Sequence, residues 1–180
     1  MKLLIEAGYI GRKHVLYGIP SLYFVTHKGK ILISSSPKPD KLKVDQIVHD
    51  IAVVDTAIYF VLKHEATLLA ITTEKELHQR DGFGVRRHRP DFLFALEDKT
   101  TCVEIELTLK SKERLVKNLK DNFMAYDRQI WVVPRGQIKI NKILEEQLIA
   151  YPNTEILILE EVTDYVKQAK TTGDDSNGQL

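Results

Sequence analysis

The chain has 180 residues, of which 43% are hydrophobic, and a formal net charge of +1 at pH 7. That is enough apolar material for one ordinary domain with at most a small appendage, and the near-neutral balance exerts no global pull toward nucleic acid. A single cysteine, Cys102, excludes a disulfide framework or a zinc cluster. No apolar run is long enough to span a membrane, and neither a secretory leader nor a membrane partner is expected, which fits a cytoplasmic protein.

Residues 1–33 are expected to form the end of a helix and then a hairpin. Leu3, Leu4 and Ile5 have the pattern of an amphipathic helix in its last turns, with Gly8 as its stop. Tyr9, Ile10, Leu16, Leu22, Tyr23 and Phe24 are strand-type positions around a Gly18-Ile19-Pro20 turn. Its cations, among them Arg12 and Lys13, are either phosphate contacts or plain surface. The polar stretch 34–43, with two prolines, is the one linker.

A long helix is predicted over 44–65, where Ile47, Ile51, Val54, Ile58, Val61 and Leu62 recur at helical spacing and His49 and Asp55 are the unusual polar members. Residues 66–71 are a buried-strand candidate. Thr73 and Glu76 have capping-box spacing for a short helix through Gln79. Gly82 and Gly84 then mark a loop into a run of arginines, Arg86, Arg87 and Arg89.

The stretch 88–120 carries the most chemistry. Phe92, Leu93, Phe94 and Leu96 form a short strand, and Glu97, Asp98 and Lys99 a turn. Residues 101–109 alternate: Val103, Ile105, Leu107 and Leu109 fall on one face, and Glu104, Glu106, Thr108 and Lys110 on the other. Two glutamates at i and i+2 repel each other, and a hairpin would bring Asp91 opposite them. Three convergent carboxylates of this kind suit Mg²⁺ or Mn²⁺. The plainer alternative is a solvent-facing strand of an open sheet. Ser111 is placed to cap a helix over 112–126, with Leu115, Leu119 and Phe123 inward. Its lysines, including Lys112, Lys117 and Lys120, join the arginines as a basic flank for an acidic site, or else form a solvated helix face. Beyond it the pattern predicts a buried strand over 128–133, a helix over 138–150, a strand over 154–159, a short helix over 162–170 and a disordered tail over 171–180. No glycine-rich phosphate loop or nucleophile elbow is present.

Pro90-Asp91, twelve residues, and then Glu104-Ile105-Glu106 resemble the PD-(D/E)xK nuclease signature, with Glu106 standing where that signature has lysine. With VHDIAVVD (48–55) on the long helix, HRPDFLF (88–94), VEIELTLKSKERL (103–115) and YDRQIWVVP (126–134), the chain is similar to the MobC-type plasmid relaxases and the related replication-relaxation proteins. The resemblance implies a mixed α/β (α+β) fold. Its parts would be a partial winged helix at 1–33, a linker at 34–43, a restriction-endonuclease-like core over 44–170 and a tail at 171–180. It also implies DNA nicking or processing at a plasmid or mobile-element origin, with DNA and other mobilisation proteins as partners. It assigns Mg²⁺ or Mn²⁺ to Asp91 and Glu104, with Glu106 beside them. Lys110, on the same face about 13 Å along the strand, would serve as the displaced lysine, and His49 would reach the site from its helix. Arg86, Arg87, Arg89, Lys112, Lys117 and Lys120, with Arg12 and Lys13, would hold the DNA backbone. The alternative is a DNA-binding accessory protein that keeps the fold without the chemistry.

Overall fold

The computed structural model describes residues 1–14, 21–33, 46–64, 70–82, 84, 87–96 and 98–174. The expected turn at Gly18-Ile19-Pro20, the linker 34–43, Arg86 and most of the strand proposed at 66–71 lie outside them. The chain divides into two compact units, Met1–Ile47 and Val48–Leu180.

In the first unit, helix α1 (Lys2–Glu6) stops as the sequence predicts. Gly8 takes φ 74°, and the Gly8 and Tyr9 amides donate to the carbonyls of Ile5 and Leu4, both at 2.9 Å. Strands β1 (Ile10–Lys13) and β2 (Leu22–Val25) pair antiparallel, with Gly11 opposite Phe24. The hairpin expected to run to residue 33 ends at Val25, because His27–Leu32 is a helix, α2. Thr26 starts it. Its hydroxyl accepts from the Gly29 amide at 3.2 Å and donates to the Gly8 carbonyl at 2.7 Å. Gly29 fits because a Cβ there would stand 2.3 Å from the Tyr9 carbonyl oxygen.

The second unit is a mixed five-stranded sheet with helices on both faces. Its strands are β3 (Thr72–Thr73), β4 (Phe92–Leu96), β5 (Lys99–Ile105), β6 (Arg128–Val133) and β7 (Thr154–Ile158), in that spatial order. β3, β4 and β5 are antiparallel neighbours, and β5, β6 and β7 run parallel. The β4–β5 turn closes Leu96 on Lys99, with Asp98 at φ 59°, a conformation that Asp tolerates better than most residues.

Alternation along the strands divides the core into two layers. Ile130 and Val132 of β6 join Val103 and Ile105 of β5, Phe92 and Phe94 of β4, Tyr59 and Phe60 of α3 (Ile47–His64), and Val162 and Val166 of α7 (Leu159–Asp174). Trp131 and Val133 face the other way, onto Leu115 and Leu119 of α5 (Lys112–Ala125) and Ile140 and Leu144 of α6 (Ile138–Gln147). A strand covered on both faces has no polar side to present, which accounts for the unbroken RQIWVV. Its one internal polar residue is satisfied: Gln129 donates to the Leu119 carbonyl at 3.2 Å and accepts from the Trp131 indole at 2.9 Å.

Three expectations need correction here. The strand predicted over 101–109 ends at Ile105, since β4 begins at Phe92, opposite Val103, and β6 ends at Val133 ahead of Pro134. The Glu106 amide makes one last bond to the Val132 carbonyl at 3.1 Å, and the chain then leaves the sheet. Lys110 therefore does not lie on a strand face shared with Glu104, and Glu104 itself is buried, not on a solvent-facing strand. Finally, α7 begins at Leu159 and carries on through Asp174, so 171–174 continue a helix instead of starting a tail. Among the described residues no helix is long and apolar enough to cross a membrane.

Candidate active site

The acidic residues meet where β4 starts and β5 ends. The register ends with Phe92 opposite Val103, and the preceding residue, Asp91, donates from its amide to the Val103 carbonyl at 3.1 Å, which sets it beside Val103, next to Glu104 in β5. One Asp91 oxygen, Oδ2, accepts from the Ile105 amide at 2.7 Å, which pins the carboxylate across the strand end. The other, Oδ1, lies 3.4 Å from Nε2 of His49. That imidazole comes from the first turn of α3, the helix packed on the Val103–Ile105 face of the sheet.

Glu104 points to the opposite face, where α5 closes over it. The residue is 8% exposed. Its Oε1 accepts from Nδ2 of Asn122 at 2.9 Å and is in close contact with Nε2 of His88. The α5 residues 115, 118, 119 and 122 form one inward helical stripe, which is why an asparagine from this helix reaches the strand.

This crowding shifts the acid–base behaviour of Glu104, His49, His88 and Glu106. Burial pushes the Glu104 carboxyl up, and Asp91 adds to the shift, against the pull of His88 and Asn122. His49 is raised chiefly by its bond to Asp91, which outweighs desolvation. Desolvation would depress His88, but the Glu104 carboxylate holds it above its ordinary value. Burial raises Glu106 as well, while Lys110 and Arg114 oppose the shift. Tyr126, half-buried at the end of α5, is likewise pushed up by burial, the reverse of what an activated phenol nucleophile needs.

Of the residues singled out from sequence, the structure gathers Asp91, Glu104 and His49, and it leaves Glu106 and exposed Lys110 in electrostatic reach of one another at the rim. His88 and Asn122 were not foreseen as members. The signals were there: a histidine three residues before Asp91, and an asparagine at an inward position of an amphipathic helix. Among the basic residues, Arg89 must be withdrawn from any DNA-contacting role. Its side chain is 3% exposed and its Nε donates to Asp81 at 2.7 Å, so it is interior structure. Arg87 is exposed although paired with Asp81; Lys112 lies 3.5 Å from Glu146 and Lys117 2.5 Å from Asp121, both at the surface; Lys120 is exposed. Arg12 and Lys13 are exposed on β1 of the first unit.

No group of three or more His, Cys, Asp or Glu side chains able to hold a metal ion occurs among the described residues. A hard cation such as Mg²⁺ does not require one, because it keeps several waters and is commonly held by one or two carboxylates together with substrate phosphates. Asp91 and Glu104, two carboxylates near enough for Asp91 to raise the Glu104 carboxyl, supply oxygen donors of that kind. No family model matches the chain, and no curated protein or solved structure matches it either.

Proposed function

We propose that the Asp91–Glu104 cluster is the centre of a divalent-metal-dependent DNA-nicking protein with a PD-(D/E)xK-like core, akin to the MobC-type relaxases and replication-relaxation proteins. The observation that carries this reading is the approach of Asp91, with His49 on it, to Glu104 where β4 starts and β5 ends, with Glu106 beside them. The order of elements in the second unit also supports it: helix, short strand β3, helix, the antiparallel pair β4-β5, helix, parallel strand β6.

In this reading Asp91 and Glu104 hold Mg²⁺ or Mn²⁺, which when bound polarises a scissile phosphate and acidifies a water. His49 keeps Asp91 oriented and can exchange a proton at Nε2. Glu106, kept more basic than an ordinary carboxylate by burial, is the group we assign to accept a proton from the attacking water. Lys110 and Arg114 offset its charge and that of the phosphate. Exposed Arg87, Lys112, Lys117 and Lys120 supply backbone contacts, and Arg12 and Lys13 supply others from the first unit.

One observation favours the accessory reading, a DNA-binding protein without chemistry: Glu104 already has two partners within the protein, His88 and Asn122. Mn²⁺ titration by calorimetry separates the two readings. The account expects saturable binding by the wild type and its loss in Glu104→Ala, with affinity for DNA retained. A wild type that takes up no Mn²⁺ while binding DNA would establish the accessory reading instead.

A further inference from the structure

His88 reaches Glu104 from an unusual setting. It lies between two arginines that both grip one carboxylate, Asp81, the last residue of α4 (Glu74–Asp81). Arg87 donates from Nε to Asp81 Oδ2 at 2.9 Å and makes a second contact, through its terminal nitrogen, with Oδ1. Arg89 donates from Nε to the same Oδ2 at 2.7 Å, and its guanidinium also donates to the Arg87 carbonyl at 3.2 Å. Desolvation at Asp81 is outweighed by the two guanidiniums, which hold its carboxyl below the ordinary range.

This is more than the fold needs to close a loop. Arg89, buried, would suffice as an interior ion pair, whereas the Arg87 side chain is 62% exposed and contributes little to stability as a surface pair. What the second arginine adds is orientation. With residues 87 and 89 both tied to the end of α4, the chain is held on each side of His88, and that residue touches the buried carboxylate of the site. A further bond fixes the target, since Asn122 holds the same Glu104 oxygen; Gly82, at φ 81°, follows Asp81 directly at the end of α4.

We propose that Asp81, acting through Arg87 and Arg89, is a positioning residue that seats His88 on Glu104 and so sets how the Glu104 carboxylate is offered to a ligand. The last step rests on the metal-dependent reading above; the seating of His88 does not. Residues outside the ligand set that orient ligands in this way typically govern about 10- to 100-fold in metal affinity.

The test uses the full chain and two readouts. Without metal, the His88 ring Nε2–H signal in NMR spectra should be sharp and slow to exchange in the wild type. It should broaden or exchange quickly in Asp81→Asn and in Arg87→Ala, the second variant guarding against a folding defect in the first. With Mn²⁺ titrated in, both variants should bind about 10-fold or more weakly, His88→Ala as weakly, and His88→Gln, which retains an amide donor near the Nε2 position, close to wild type. A His88 signal and Mn²⁺ affinity unchanged in both Asp81→Asn and Arg87→Ala would overturn the proposal. If the wild type bound no Mn²⁺, the metal-dependent reading would fall, and the NMR signal alone would still decide whether Asp81 seats His88.

Discussion

A glutamate on a strand with a helix packed over it has to be protonated, paired or hydrogen-bonded, because water no longer solvates it. Glu104 meets that demand with His88 and Asn122, and Asp91 meets it with His49 and a backbone amide. The result is a cluster that holds protons more tightly folded than unfolded: Glu104, Glu106, His49 and His88 are all raised. The sign follows by linkage. Where the native state binds more protons, stability falls as pH rises, beginning near the ordinary carboxylate value for the glutamates and near 6.5 for the histidines. Urea midpoints measured from pH 5.5 to 8.5 should therefore decline, and His49→Gln should flatten the part of the decline above pH 6.5; a decline identical in wild type and variant would contradict the His49–Asp91 pairing. At this scale the sequence singled out carboxylates that the fold brings near one another, because two glutamates two apart on an alternating strand conflict with a simple surface. It did not show His88 or Asn122, whose roles depend on a loop and a helix brought near the strand only by the fold.

Helix α4 shows how an element carries consequences beyond its own length. Thr73 and Glu76 make the capping box that their spacing predicts, with the Glu76 carboxylate accepting from the Thr73 amide at 2.7 Å. That bond and the Thr73 hydroxyl hold the Glu76 carboxyl below its ordinary value, so its contribution is present above the ordinary glutamate value and is lost as pH falls through the lowered one. Thr73→Ala should cost about 1 kcal/mol at neutral pH in urea unfolding, with a smaller difference near pH 3; no cost at neutral pH would mean that the cap does not hold the helix. Caps, helix stripes and buried strands were legible because each is a local pattern: Gly8, Ser111 and RQIWVV all behave as read. The end of β5 was not. Nothing in the alternation through Leu109 reports that the partners on either side stop earlier, and a strand persists only while its backbone groups find partners. Residues 27–32 misled for a similar reason, since Thr26 and Gly29 start a helix through contacts with Gly8 and Tyr9, far back in the sequence.

For the whole molecule, a mixed sheet whose central strands are covered on both faces leaves its strand ends as the natural place for chemistry, and the acidic cluster occupies one such end. The mixed α/β architecture was foreseeable from the succession of strand and helix patterns; the approach of Asp91 to the end of β5 required the antiparallel register that only the β4–β5 turn defines. Cleavage of supercoiled plasmid in Mn²⁺, wild type beside Glu104→Ala, tests the central claim most directly. The account predicts conversion to open circle by the wild type alone, on a plasmid carrying a cognate origin. Equal conversion by both proteins, or none by either while both bind the DNA, would contradict a catalytic centre at Asp91 and Glu104.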